Sequence, residues 1–221
     1  MTARSKALRG AIFAILVALA TAGRAGDPVV DSAGALSEGA AAPELRSALS
    51  ADGLRVREGE SVLAELWIVK DLAAAAEPKT KPGANFIAVA DGALLGVVRF
   101  EEKWSDYRGR SVPAGTYSLR YAIQPVDGDH MGVSEFLDYA LLVPAAKDLD
   151  PKPIADRKAL YALSREASGR NHPAILYLVP AASSAVPSVV VPAPGGLALV
   201  AAPGGKAMGF VLRGRTDAEG S

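Results

Sequence analysis

The sequence predicts a mainly β protein: an antiparallel β-sandwich of immunoglobulin-like or jelly-roll-like type with one helix, behind a cleaved N-terminal signal helix. Three observations carry that expectation. Short apolar or alternating runs recur between Gly, Pro and Asp-Gly punctuation from Gly53 to Arg213. Only Ile154 to Ala167 shows strong helical spacing. The first 25 residues have the layout of an export leader.

Arg4, Lys6 and Arg9 form a basic start, and Ala11 to Ala20 is an uncharged apolar run of ten residues. Ala20-Thr21-Ala22 is a small-x-small cleavage pattern, with Gly23-Arg24-Ala25 as a second choice. The apolar run falls well short of the roughly 20 residues that span a bilayer, so a leader fits better than an anchor. The expected address is periplasmic or secreted. No integral membrane span is expected in the mature chain, because Pro180, Pro187, Pro192 and Pro194 interrupt the apolar stretch from Ala174 to Ala202.

Residues 26–52, rich in Gly, Ala and Ser, read as a flexible lead-in, with a turn or two of helix at Pro43 to Ser50. Residues 53–215 then read as a single sandwich domain. Leu54 to Arg57 alternates, and Glu58-Gly59-Glu60 is a turn. Ser61 to Lys70 is a long apolar run that suits a strand buried on both faces. Asp71 to Gly83 is a loop, Phe86 to Ala90 a short strand, Asp91-Gly92 a turn and Leu94 to Phe100 a strand. Thr116 to Gln124 has the clearest period of two: Tyr117, Leu119, Tyr121 and Ile123 share one face, which predicts one buried side. Asp138 to Pro144 is the next strand. Ala155, Ala159, Leu160, Leu163 and Ala167 form the apolar stripe of the helix, which Gly169 ends. Ala174 to Val179 is a strand, Ser188 to Val191 and Leu197 to Ala201 form a hairpin, and Gly209 to Arg213 closes the set. Residues 216–221 are a tail. A barrel is the alternative architecture for such a run of strands.

Composition excludes several functions. Without cysteine there are no disulfides, no Cys-ligated zinc, no iron–sulfur cluster and no thiol catalysis. Lys+Arg and Asp+Glu balance at 24 each, and loss of the leader with its four basic residues leaves the mature chain at −4. That gives no electrostatic footprint for nucleic acid.

Gly115-Thr116-Tyr117-Ser118-Leu119-Arg120-Tyr121-Ala122-Ile123-Gln124-Pro125, followed by Asp127-Gly128-Asp129-His130-Met131-Gly132, resembles a family of uncharacterised exported bacterial β-sandwich proteins. In that family an Asp-Gly-x-His-Met-Gly loop follows the same strand. The resemblance continues through Asp138 to Pro144 and through Asn171 to Leu176. It implies an exported sandwich and carries no assigned activity.

Two groups of residues are candidates for binding. The loop from Asp127 to Gly132 holds Asp127, Asp129, His130 and Met131, and His172 is the only other imidazole. No cofactor is expected as the leading reading; His130, Met131 and His172 together are soft enough to suit copper, the one cofactor alternative. The alternative is a glycine-framed turn in which Asp127 and Asp129 bond the backbone. Trp104 and Tyr107 lie in a polar stretch outside the regular alternation, where they would stack on a ligand or anchor a partner, or else close one end of the core. No nucleophile-elbow motif is present. The leading expectation is therefore a non-enzymatic envelope protein that binds another envelope protein or a small ligand. A periplasmic copper protein and a hydrolase with a noncanonical site are the alternatives.

Overall fold

The structure is a computed structural model that describes residues 27–78, 81–107, 109–124, 136–190 and 196–214. Among the described residues, twelve strands and two α-helices follow one another along the chain. They are β1 (Pro28–Gly34), α1 (Pro43–Ala48), β2 (Gly53–Glu58), β3 (Ser61–Ile68), β4 (Leu94–Phe100), β5 (Trp104–Ser105), β6 (Ser111–Val112), β7 (Gly115–Ile123), β8 (Asp138–Pro144), α2 (Arg157–Ser168), β9 (Ile175–Pro180), β10 (Ser188–Val190), β11 (Leu197–Ala201) and β12 (Met208–Arg213).

Ten of the strands form one antiparallel sheet in the order β1-β2-β3-β4-β7-β8-β9-β12-β11-β10. The pairing runs unbroken, where a sandwich would divide it between two sheets. The sheet curls until its first and last strands, β1 and β10, come into contact. One core cluster explains the curling. It takes Val56 from β2, Leu66 from β3, Val98 from β4, Leu119 from β7, Leu142 from β8, Leu176 from β9, Phe210 from β12 and Leu199 from β11, with Val189 of β10 packed against it. All these strands thus turn alternate residues toward a common, side-chain-filled interior, which buries more apolar surface than a flat sheet can.

Helices cover the outer face in two places. Leu45 and Leu49, at and just after α1, pack with Trp67, Leu94 and Val97. Leu160 of α2 packs with Tyr139, Leu141, Ile175 and Tyr177. Each fully buried leucine of this kind contributes about 1.5–3 kcal/mol relative to exposure. The Asp156 side chain caps α2, accepting from the amides of Lys158 at 2.9 Å and Ala159 at 3.2 Å. Gly169 ends the helix at φ 63°, a left-handed conformation that glycine adopts without strain. The helix therefore begins three residues later than the expected start at Ile154, just after its Asp156 cap.

Several expectations change. The flexible lead-in is built into the fold: Pro28 to Gly34 pairs with Glu58 to Gly53, and α1 seals the outer face. Its Ala-, Gly- and Ser-rich composition, with Val29 and Val30 side by side and no regular alternation, concealed the strand. Phe86 to Ala90 forms no strand, only a single bridge from Val89 to Ala74. This stretch instead plugs one end of the curled sheet with Phe86 and Val89. β7 is buried on both faces, because residues 145–154 lie over its outer side and hide Ser118 and Arg120. The proline-broken stretch from Ala174 supplies β9, β10 and β11. Among the described residues no helix is long and apolar enough to cross a membrane. The proposed leader lies outside the described residues.

Candidate binding cleft at one end of the sheet

Opposite the Phe86 plug, the other end of the curled sheet is closed by the hairpin of β5 and β6. Trp104 is its stopper. Its ring stacks on Phe100 with centroids 4.7 Å apart and planes within 4°, and its side chain is 8% exposed. The Trp104 Nε1–H donates to the Leu212 carbonyl at 2.6 Å. Pairing of β12 with β9 stops at Phe210, so this bond ties the departing end of β12 to the hairpin.

Beside Trp104 lies a cleft of about 410 Å³, within the range of small-ligand sites. Ser61, Val62 and Leu63 of β3 line it, together with Glu102, Lys103 and Ser105. Glu58, Leu212 and Arg213 complete the lining. The space exists because β4 stops. It pairs with β3 only between Glu65 and Ile68, and after Phe100 the chain turns away. Ser61, Val62 and Ala64 are left paired with β2 alone, with a bulge at Leu63, and Ala64 is buried.

Across the mouth, Arg213 grips Glu58 with two contacts of 2.7 Å. The guanidinium hydrogen bonds hold the Glu58 carboxyl below its usual range, against an upward push from partial burial. The same pair holds the Arg213 guanidinium above its ordinary value. The lining thus carries both signs of charge beside the apolar Val62, Leu63, Trp104 and Leu212.

Of the residues expected to bind, Trp104 lines this cleft while spending most of its ring on the core. Tyr107 is turned elsewhere, edge-on to Phe136 at 5.4 Å and to Tyr177 at 5.5 Å. His172 approaches Arg110, with Nη1 to Nδ1 at 2.8 Å. A guanidinium only donates, so Nδ1 is the acceptor and the ring proton sits on Nε2. Asp127, Asp129, His130 and Met131 lie outside the described residues, so their position relative to His172 is not part of the described fold. Among the described residues no group of three or more His, Asp or Glu side chains is gathered for a metal.

The spacing of residues concealed two buried charge clusters. Arg120, fully buried on the outer side of β7, holds Asp148 through Nε at 2.7 Å and Nη2 at 2.6 Å. It also donates to the carbonyls of Gly92 at 3.1 Å, Asp150 at 2.5 Å and Lys152 at 2.7 Å. Ser118 adds a further bond to Asp148. This network staples residues 148–152 to the sheet. At the Phe86 end, Asp138 accepts from the Tyr121 hydroxyl and the Asn85 amide, both at 2.7 Å, and from the Phe86 amide at 3.3 Å. Both clusters are structural, because every contact named ties one part of this chain to another. Neither Glu58 nor Arg213 had a sequence signal beyond its place at a strand end. Comparison with protein families, with characterised proteins and with solved structures finds no match to this chain.

Proposed function

We propose that this chain is an exported, non-enzymatic binding protein, periplasmic or secreted, that holds a partner protein or small ligand in the cleft beside Trp104. The supporting observation is the cleft itself. It is lined by apolar side chains and by charges of both signs, next to the stretch of β3 that β4 does not pair. The interior of the curled sheet is filled by side chains, so a ligand's place is at this end rather than inside. The leader pattern of residues 1–25 and the resemblance to exported β-sandwich proteins support the location.

The test is a ligand titration followed by amide and indole resonances. The chain has two tryptophans, so its indole signals separate the cleft from the far side of the sheet. Peptides, oligosaccharides and small organic ions are added in turn to the mature chain. The proposal expects a binder to shift the Trp104 indole and the amides of Ser61 to Leu63, and to spare Trp67 beneath α1. A binder that leaves Trp104 and this strand unmoved overturns it.

A further inference from the structure

We propose that the occupant of the cleft is a small zwitterion with an apolar body, an α-amino acid of the leucine or phenylalanine kind, held by Lys103 at its carboxylate and by Glu102 at its ammonium. This rests on the reading of the cleft as a binding site and names what binds there.

The charges supply the first reason. The described lining carries four charged residues, Glu58, Glu102, Lys103 and Arg213. Two of them are spent on each other, because Arg213 grips Glu58 through two bonds of 2.7 Å. Glu102 and Lys103 are exposed, and among the described residues neither makes a hydrogen bond or an ion pair. One acid and one base are thus left for a ligand. A ligand of a single sign is attracted by one of them and repelled by the other, so its gain largely cancels. A ligand with both signs gains from each. Glu102 and Lys103 are chain neighbours, with α-carbons about 3.8 Å apart. They suit a ligand whose own two charges lie close together, as the ammonium and carboxylate of an α-amino acid do.

The apolar lining supplies the second reason. Successive residues of a regular strand face opposite sides. The bulge at Leu63 puts one extra residue into β3, so Val62 and Leu63 both border the cleft, beside Leu212. They give an apolar side chain a surface to cover. Trp104 adds to it only as a hydrophobe. Its ring is stacked on Phe100 and 8% exposed, and its N–H is engaged by Leu212. It therefore offers neither an open face for a sugar or a nucleobase nor a free donor. The volume of about 410 Å³ lies toward the small end of ligand sites, which suits one small molecule rather than a folded partner.

The experiment titrates the mature chain with L-leucine, L-phenylalanine, glycine, N-acetyl-L-leucine and L-leucine amide, and reads the Trp104 indole and the amides of Ser61 to Leu63. Leucine and phenylalanine are expected to shift these signals. Glycine, which has no apolar side chain, is expected to bind weaker by about tenfold or more. Each capped leucine lacks one charge and is expected to bind weaker by about fivefold, the size of one exposed ion pair. Glu102→Gln is expected to erase the penalty of acetylation, and Lys103→Gln that of amidation. Each variant keeps the other penalty and the melting temperature. A damaged fold would weaken every ligand alike, so this crossed pattern reports recognition. Leucine that shifts Trp104 while both caps cost less than about twofold overturns the zwitterion and leaves the cleft reading standing. A sugar or peptide that shifts Trp104 when no amino acid does has the same meaning. An amino acid that binds without moving Trp104 or Ser61 to Leu63 overturns both.

Discussion

Glu58 and Arg213 stand 155 positions apart in the chain, yet both guanidinium Nη atoms meet both carboxylate oxygens at 2.7 Å. Their strands, β2 and β12, are separated in the sheet by five others. A flat sheet of that width would hold them far apart at about 4.8 Å per strand. Their contact is a direct consequence of the curling that brings β1 against β10. The same curling sets Arg213 with Ser61 to Leu63 in the lining of the cleft.

The pair has a pH signature. Its hydrogen bonds depress the folded pKa of Glu58, so the unfolded state binds the proton more readily in acid. The contribution is present above the unfolded carboxyl range near 4.3 and is lost as pH falls through the lower folded value. Both side chains are partly exposed, so the expected size is under about 1 kcal/mol. Urea unfolding of wild type and Glu58→Gln at pH 7 and pH 3 checks it. The variants are expected to differ at pH 7 and to converge at pH 3.

Arg120→Met is expected to cost about 3–5 kcal/mol, because it strands Asp148 in a buried site without its cation. The double change Arg120→Met with Asp148→Leu is expected to recover a large part of that loss, since no buried charge is then left alone. Denaturant midpoints of the two singles and the double measure the coupling. Equal losses for single and double would show that the backbone carbonyl contacts, rather than the ion pair, hold residues 148–152.

Gly92 belongs to the same network. It sits at φ +71°, and a β-carbon there would lie 2.1 Å from the Ile154 carbonyl oxygen. Gly92→Ala therefore meets both backbone strain and a clash with main chain, and is expected to destabilise by about 1–3 kcal/mol. A melting temperature equal to wild type would contradict this placement.

Trp104 has two separable roles, the stack on Phe100 and the bond to Leu212. Trp104→Phe keeps an aromatic against Phe100 and loses the hydrogen bond, for an expected cost of about 1 kcal/mol. Trp104→Ala removes both and is expected to cost about 3–5 kcal/mol. Chemical denaturation of both variants checks the order, and reversed costs would show that the stack contributes little.

Tyr117, Tyr121 and Tyr139 are pushed above the ordinary phenol range, chiefly by burial. A raised folded pKa gives stability that is complete below the unfolded value near 10 and is lost as pH rises through the folded one. In an absorbance titration these three of the six tyrosines are expected to ionise only as the fold opens. Smooth, reversible ionisation of all six near pH 10, with the circular dichroism unchanged, would contradict their burial.

Local pattern made much of this legible. The period of two from Tyr117 to Ile123, the helical stripe around Leu160 and the Gly169 stop all follow from chain geometry over a few residues. Pro28 to Gly34 escaped because Val29 and Val30 side by side, amid alanine, glycine and serine, show no regular alternation. Arg120 escaped because it alternates outward like a solvent-facing residue, and nothing in its neighbourhood announces Asp148. The Trp104 stretch showed its tension in the sequence: an aromatic pair in a polar run is either a core stopper or a contact surface. Trp104 closes the core and borders the cleft, whereas Tyr107 turns away from it.

What the amino-acid order determined by itself was most of the longer strands and the long helix, because these depend on residues only a few places apart. Only the tertiary structure decided that ten strands share one curled sheet, that β4 ends short of Ser61, and that Glu58 meets Arg213. Those relations depend on which distant apolar faces bury one another. That choice is made by the summed burial of the whole interior, and no short window of sequence encodes it.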